Sequence, residues 1–391
     1  MITLTTADKA LKSVYLGVVG NQLNYGANPL LTKIKQTTNN VYGNEIIKST
    51  SYGLSGGVSA GTEEGALPKA VNKKYSKFTA TLKNLYGTLE ISDKAIRCSQ
   101  NSAGAFVNLL NEEMESLIKS STFNLGRMLY GDGTGVLGKV TTSNAASDCD
   151  FIVDNIRNFA INQTVRFLNT AGTGYNTTYN KTFNITGINR SASTIITDYP
   201  ADIDYKDYKL TTIGGFKNEI TGLGAIFGSD TYLYGLKRAD NTWLTPYTKS
   251  SVGSISESAM QTAIDEIADS SGADVDYIAC SSAVRRYYQD CVKSYKRNVD
   301  VMDLQGGFRA LSYNGIPVVN DRFVADGDMY LLTTKEFELC QLGDWSWLES
   351  NDGRIIRQKE GYPIYTATLV KYAELLCNRP NSQAKLTGIT G

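Results

Sequence analysis

The chain contains no histidine. That removes the commonest general base, the usual zinc ligand and the usual proton switch near neutral pH. Serine-histidine-aspartate and cysteine-histidine sites are excluded outright. Cysteine is sparse and irregularly spaced: Cys98, Cys149, Cys280, Cys291, Cys340 and Cys377, with no CxxC pair in 391 residues. A disulfide framework does not fit so long a chain with so few cysteines, so buried free thiols are expected. No paired-acid motif stands out. The expectation is no catalytic residue, no metal and no cofactor. Met1 to Asp8 lacks the basic start and apolar run of a secretion signal. No stretch approaches the roughly 18 apolar residues of a membrane helix. A soluble protein made in a cytoplasm, with no membrane partner, is expected.

Net charge is also absent, since 39 basic residues balance 39 acidic ones. The distribution is uneven. Residues 1–95 hold eleven lysines, no arginine and six acids, a balance of +5 that leaves −5 on the rest. A basic first quarter on an acidic body points to a segment that lies on another copy, and overall neutrality favours association. The 24 tyrosines fit large amphipathic contact surfaces, or equally a tyrosine-rich core.

What is present divides the chain. Residues 1–45 carry only a short amphipathic piece (Ala10, Leu11, Val14, Tyr15, Val18, Val19) and a polar run, too little for a core of its own. Residues 46–95 read as a long hairpin that docks on a neighbour. Ile46 to Thr50 leads out, and Gly53, Gly56, Gly57, Gly61 and Gly65 mark the tip. On the return, Phe78, Ala80 and Leu82 alternate with Lys77, Thr79 and Thr81 in the period of a half-exposed strand. The glycine-rich tip also fits a flexible linker. Residues 102–130 place Phe106, Leu109, Leu110, Met114, Leu117, Ile118, Leu125, Met128 and Leu129 at helical spacing. At about 1.5 Å per residue that helix spans roughly 43 Å.

Gly131-Asp132-Gly133-Thr134-Gly135 follows the helix at once. A glycine run of this kind can cradle a phosphate, but phosphate loops precede a helix, where free N–H groups and the positive dipole end sit. Here the run meets the negative end. Its expected work is to stop the helix and turn the chain. Residues 141–218 then turn rich in Asn, Thr, Tyr and Gly. Strands are expected at 151–153, 164–168, 182–186, 194–197 and 208–213, with a hairpin turn over 187–191, as a small barrel-like β insertion. Residues 219–340 read as mixed α and β. A helix at 257–270 precedes a strand at 277–280. A second helix follows, capped by Ser281-Ser282 and carrying Arg285, Arg286, Lys293, Lys296 and Arg297 among tyrosines. That basic face fits either nucleic acid or a solvated or intersubunit surface. Strands follow at 316–320 and 329–334. Residues 341–380 alternate polar and apolar and end in a long strand, 362–376.

The order of these parts resembles the major capsid proteins of tailed bacteriophages over nearly the whole chain. The most specific pieces are Tyr130-Gly131-Asp132-Gly133-Thr134-Gly135 after the long helix, and Tyr313-Asn314-Gly315-Ile316-Pro317-Val318-Val319. The resemblance implies an α+β capsid fold. It would have an N-arm at 1–45, an extended loop at 46–95, a peripheral domain with its spine helix at 96–140 and an inserted β domain at 141–218. An axial domain at 219–340 and a return to the peripheral domain at 341–391 would complete it. It implies a non-enzymatic shell protein of a virion, assembled in a bacterial cytoplasm as hexamers and pentamers of an icosahedral capsid. The implied partners are other copies, a scaffolding protein, a portal, sometimes a decoration protein, and packaged double-stranded DNA without sequence-specific contacts. The chain starts at the arm, so a separate scaffold is implied unless an extension was removed. Gly53, Gly56, Gly57, Lys48, Lys69, Phe78 and Leu82 are the subunit-interface candidates. Some relatives cross-link lysine to asparagine between subunits; Lys48 and Lys69 lie in the corresponding region, but no such reaction is assigned.

Three other readings compete. An encapsulin-like nanocompartment shares the fold, and the β insertion favours a virus over it. A nucleotide enzyme using Gly131 to Gly135 lacks a following Lys-Ser/Thr. A tail-tube or surface β protein would not carry so long a helix. The chain has no arginine-rich tail of the kind that condenses genomes. Without histidine, any shell transition is expected to be independent of imidazole protonation between pH 5 and 8, leaving carboxylates to respond at lower pH.

Overall fold

The computed structural model describes residues 28–53, 57–65, 69–94, 103–145, 147–176, 180–295, 301–303, 309–350 and 353–391. The arm up to Ala27, Gly56, Cys98, Lys296 and Arg297 lie outside them, as do the side chains of Phe106, Leu109, Leu110, Met114 and Lys293. In chain order the main elements are β1 (Lys35–Thr37), β2 (Glu45–Tyr52), β3 (Lys74–Thr81), β4 (Lys83–Ser92) and helix α1 (Ala103–Tyr130). Next come β5 (Val136–Lys139), β6 (Asp150–Ile152), β7 (Thr164–Phe167), β8 (Thr182–Asn189), β9 (Thr194–Thr197) and β10 (Lys209–Thr212). The remainder comprises α2 (Leu223–Ile226), β11 (Tyr247–Lys249), α3 (Glu257–Ser271), β12 (Tyr277–Cys280), α4 (Ser282–Tyr295) and β13 (Val301–Asp303). Last are β14 (Arg309–Tyr313), β15 (Ile316–Asn320), β16 (Met329–Leu332), β17 (Phe337–Gln341), β18 (Ile364–Cys377) and β19 (Ala384–Leu386).

Three cores hold these elements. The first lies between α1 and the sheet built on β18. One edge of β18 pairs with β4 over ten residues, from Ile364 opposite Ser92 to Ala373 opposite Lys83. Its other edge carries β17 and two short strands, Ser346–Trp347 and Arg357–Gln358. Leu85, Leu89 and Ile91 point inward at alternate positions, as period-two pleating requires. Gly87 continues that row, and a Cβ there would come within 2.9 Å of Leu117 on α1. Close approach of helix to strand therefore depends on a glycine. Ile118, Leu125 and Leu129 of α1 are buried in the same core.

The second core fills a seven-stranded sheet of order β11-β19-β16-β12-β15-β14-β13 with α3 and α4. Ser256 caps α3 by accepting from the Ala259 N–H, and Gly272 ends it in the left-handed region. Asn314 and Gly315 both have positive φ between Tyr313 and Ile316, which are directly paired. That is the two-residue turn which Asn-Gly favours in a hairpin.

The third core is the β insertion. Its strands run β5-β10-β7-β8-β9-β6, and an antiparallel bridge between Val140 and Val153 joins the two ends into a closed barrel. Phe151, Phe167, Phe183 and Tyr205 fill the interior, with Phe167 and Tyr205 stacked at 3.9 Å. Each such ring pair contributes about 0.5–1.5 kcal/mol beyond its buried area. The hairpin turn lies at 190–193 rather than 187–191. β8 runs to Asn189, which pairs with Thr194, because Ser193 takes up the left-handed conformation and Gly187 is strand rather than turn.

Candidate functional site: the helix corner and the projecting hairpin

α1 stops at Tyr130, and residues 131–135 turn the chain into the barrel. Gly131 donates its N–H to the Met128 carbonyl at 3.0 Å. Gly133 and Gly135 have φ of +79° and +78°, the region that glycine enters without steric cost. The Asp132 carboxylate accepts from the Thr134 N–H at 2.9 Å and its hydroxyl at 2.6 Å, an Asx turn that fixes the bend.

The space over this loop is filled by the chain leaving the barrel. Lys217 donates its N–H to the Thr134 carbonyl at 2.8 Å. A Cβ on Gly135 would stand 2.2 Å from the Gly215 carbonyl oxygen. A Cβ on Gly222 would stand 2.3 and 2.5 Å from the carbonyl oxygens of Met128 and Leu129, at the end of α1. Backbone packs on backbone here, so the glycine run holds a fold corner.

Two buried ionic groups tie the corner down. Arg127, in the last turn of α1, meets Glu219 in a two-pronged pair at 2.8 and 2.5 Å. Their side chains are only 3% and 4% exposed. Glu374 on β18 accepts from the Thr221 N–H at 2.7 Å and from its neighbour Leu375 at 3.0 Å. Burial pushes its carboxyl up to about 7, against the pull of those two donors. A carboxyl raised toward neutrality is thus present in a chain without histidine. Nothing in the sequence around Glu219 or Glu374 singles them out. The glycines at 214, 215 and 222 are the one local sign of a close approach.

The hairpin β2–β3 pairs without a bulge from Glu45 opposite Thr81 to Tyr52 opposite Lys74. Its base is anchored in its own chain. The Phe78 ring lies 5.3 Å from Tyr234 and 5.6 Å from Trp243, and Tyr52 stacks on Trp243 at 5.3 Å. Thr79 donates its N–H to the Tyr234 carbonyl. Phe78 and Leu82, expected at the subunit interface, are 0% and 4% exposed within this core and present nothing to another subunit. Lys48 is also satisfied internally, 2.6 Å from Glu338. Beyond Tyr52 and Lys74 the chain projects. Gly53 has φ +78°, and at Gly57 the two limbs approach, a Cβ there lying 3.3 Å from the Cα of Ala70. Lys69 is exposed. Val58 and Val71 are 87% and 54% exposed, apolar side chains on the surface of the projecting segment. β4, expected within the loop, belongs to the β18 sheet instead. Its alternating Leu85, Gly87, Leu89 and Ile91 carry that signal.

Among the described residues no group of three His, Cys, Asp or Glu side chains is placed to hold a metal, and no helix is long and apolar enough to cross a membrane. Cys280, Cys340 and Cys377 are buried free thiols. Burial pushes Cys280 up to about 12 and Cys340 up to about 11, which keeps both protonated and unreactive.

No protein-family model and no curated protein sequence matches the chain. Its fold does match solved structures. The subunit of the cyanophage A-1(L) capsid superposes with a TM-score of 0.56 at 10% identity, covering 94% of each chain. The capsid of the native GTA particle gives 0.46 at 11% identity, over 92% of this chain and 90% of that one. The holo-SrpI encapsulin complex from Synechococcus elongatus PCC 7942 gives 0.42 at 8% identity, over 95% of each. On the cyanophage match, the chain has the fold of a phage capsid subunit.

Proposed function

We propose that this chain is the major capsid protein of a tailed double-stranded DNA phage, a structural protein that assembles into the hexamers and pentamers of an icosahedral shell. The observation that carries the reading is the end-to-end correspondence with the cyanophage A-1(L) capsid subunit. The projecting hairpin supports it. Its base is fixed by Phe78, Tyr52 and Trp243, while Val58 and Val71 are exposed on the segment that projects beyond the paired strands. An extension of that kind gains stability by lying on a neighbour.

In this reading residues 1–45 are the arm and 46–95 the extended loop, with β4 its link into the shell floor. Residues 96–140 and 341–391 form the peripheral domain, 219–340 the axial domain and 141–218 the inserted barrel. Gly53, Gly57 and Lys69 stay as interface candidates, with Val58 and Val71 added. A scaffolding protein, a portal and packaged DNA are the expected partners, and the assembled virion is the place of action.

Because Tyr52 and Lys74 are directly paired, residues 53–73 can be replaced by a two-residue Asn-Gly turn. The expected outcome is a folded chain with unchanged circular dichroism that forms no shells by electron microscopy, whereas the parent forms them with its scaffold. Shells of normal size from the shortened chain would remove the hairpin from the assembly. A parent that stays monomeric at high concentration with the scaffold present would sink the capsid reading.

A further inference from the structure

Where the barrel meets the α/β sheet, a crevice of about 310 Å³ is lined by Arg157, Arg190, Ser282, Asp321, Arg322 and Val324. Its three arginines come from three separate places in the fold. Arg157 stands in the 3-10 turn Ile156–Asn158 of the barrel. It donates to the Val324 carbonyl at 3.2 Å and pairs with Asp326. Arg190 stands in the turn between β8 and β9, with no acidic partner among the described residues. Arg322 lies over the rings of Phe123 and Phe323, at 4.9 and 5.2 Å. It too has no ion pair among the described residues.

The acidic groups present do not balance these charges. Asp326 is engaged by Arg157. The Asp321 carboxylate is buried and accepts from the Phe323 N–H at 3.0 Å. Burial raises its proton affinity, which weakens it as a counter-charge. The Arg322 guanidinium is pushed down by burial and then by repulsion from Arg190, against the smaller opposing pull of Asp321. Arg190 and Arg322 thus face one crevice in which Asp321 is the lining acid, so the three arginines outnumber the acids near them. Ser282 opens the 14-residue helix α4, so the positive end of its dipole adds to the same field. The guanidinium fork matches the oxygens of a phosphate group with paired N–H donors.

We propose that this crevice binds a phosphate group, held chiefly by Arg190 and Arg322 and bridging the inserted barrel to the body of the subunit. The phosphate is either free inorganic phosphate or one from a nucleic acid backbone. The proposal stands whether or not the chain forms shells.

The test is calorimetric titration of the full chain with inorganic phosphate, with sodium chloride adjusted to constant ionic strength. One saturable site per chain is expected. Arg190→Gln should weaken it at least tenfold and Arg190→Lys less. Lys237→Gln, an exposed lysine elsewhere, should leave it unchanged. Because Arg190 sits in an exposed turn, its variants keep the fold, which circular dichroism checks; Arg322→Gln gives a second, independent loss. A 20-base-pair duplex forms the other arm. If it displaces phosphate and itself binds more weakly to Arg190→Gln, the site takes backbone phosphate. If phosphate binds and the duplex does not compete, the site takes the free ion. Absence of saturable phosphate and duplex binding, or binding unchanged in both glutamine variants, overturns the proposal.

Discussion

Removing Arg127 tests how the corner is held. Its guanidinium makes two charge-assisted bonds to Glu219, both side chains are almost fully buried, and its Nε has no acceptor. Truncation to Met leaves the Glu219 carboxylate buried without its counter-charge. Breaking such a pair from one side costs about 3–5 kcal/mol, more than the worth of the bonds alone, because the orphaned charge stays out of water. Glu219→Leu strands Arg127 and should cost a similar amount. The double variant Arg127→Met with Glu219→Leu removes both charges and the unpaired Nε together. It should return close to the parent, as apolar replacements of buried pairs do. Hydrogen exchange by mass spectrometry on peptides covering 125–135 and 216–222 reads the difference locally. At about 1.4 kcal/mol per factor of ten, each single variant should lose roughly two to nearly four orders of magnitude in protection. The double variant should recover most of it. Single losses under about tenfold that simply add in the double variant would show a pair no stronger than a surface one, and the corner would owe its rigidity to the glycine contacts alone.

Three further outcomes follow from the same region. Glu374 has a folded-state value above its unfolded one. The folded chain therefore holds the proton more tightly, and stability falls as pH rises from about 4.5 through about 7. Denaturation at pH 5 and pH 8 should show that loss in the parent and a much flatter profile in Glu374→Gln; identical profiles would refute it. Gly135→Ala meets a positive φ and the Gly215 carbonyl at once, so it should cost at least about 2 kcal/mol in a melt. Gly343→Ala, with open space around it, should cost far less. In assembled particles, any expansion with a midpoint near pH 7 should disappear in Glu374→Gln, since there is no histidine to drive it; persistence would assign it to other groups.

The legible parts of this fold are those written in neighbouring residues. Phe78 and Ala80 alternate with Thr79 and Thr81, and the strand is there. Asn314-Gly315 marks a tight turn, and both residues adopt positive φ. The aromatic and β-branched residues of 150–212 close a barrel because period two puts Phe151, Phe167 and Phe183 inside. What local sequence does not disclose is set by partners far along the chain. Lys48 meets Glu338 across 290 residues and Arg127 meets Glu219 across 92. By position β4 reads with the hairpin that precedes it, although its partner is β18, nearly three hundred residues later. No local propensity encodes such a choice, because pleating fixes only which face is apolar and leaves the partner open.

The same distinction explains how one hairpin serves two surfaces. Pleating gives β3 one apolar face, and Phe78 on that face finds Tyr234 and Trp243 in its own chain. That contact uses up the hydrophobic signal at the base, so the residues most conspicuous in the sequence are the least able to meet a neighbour. The tip offers weaker cues, two valines among glycines and lysines, and those are what remain exposed. A base anchored on Tyr234 and Trp243 sets where the extension starts before any partner arrives. Under the capsid proposal, part of the ordering cost of association is then met on folding, and Val58 and Val71 are the exposed apolar side chains proposed to meet a neighbour.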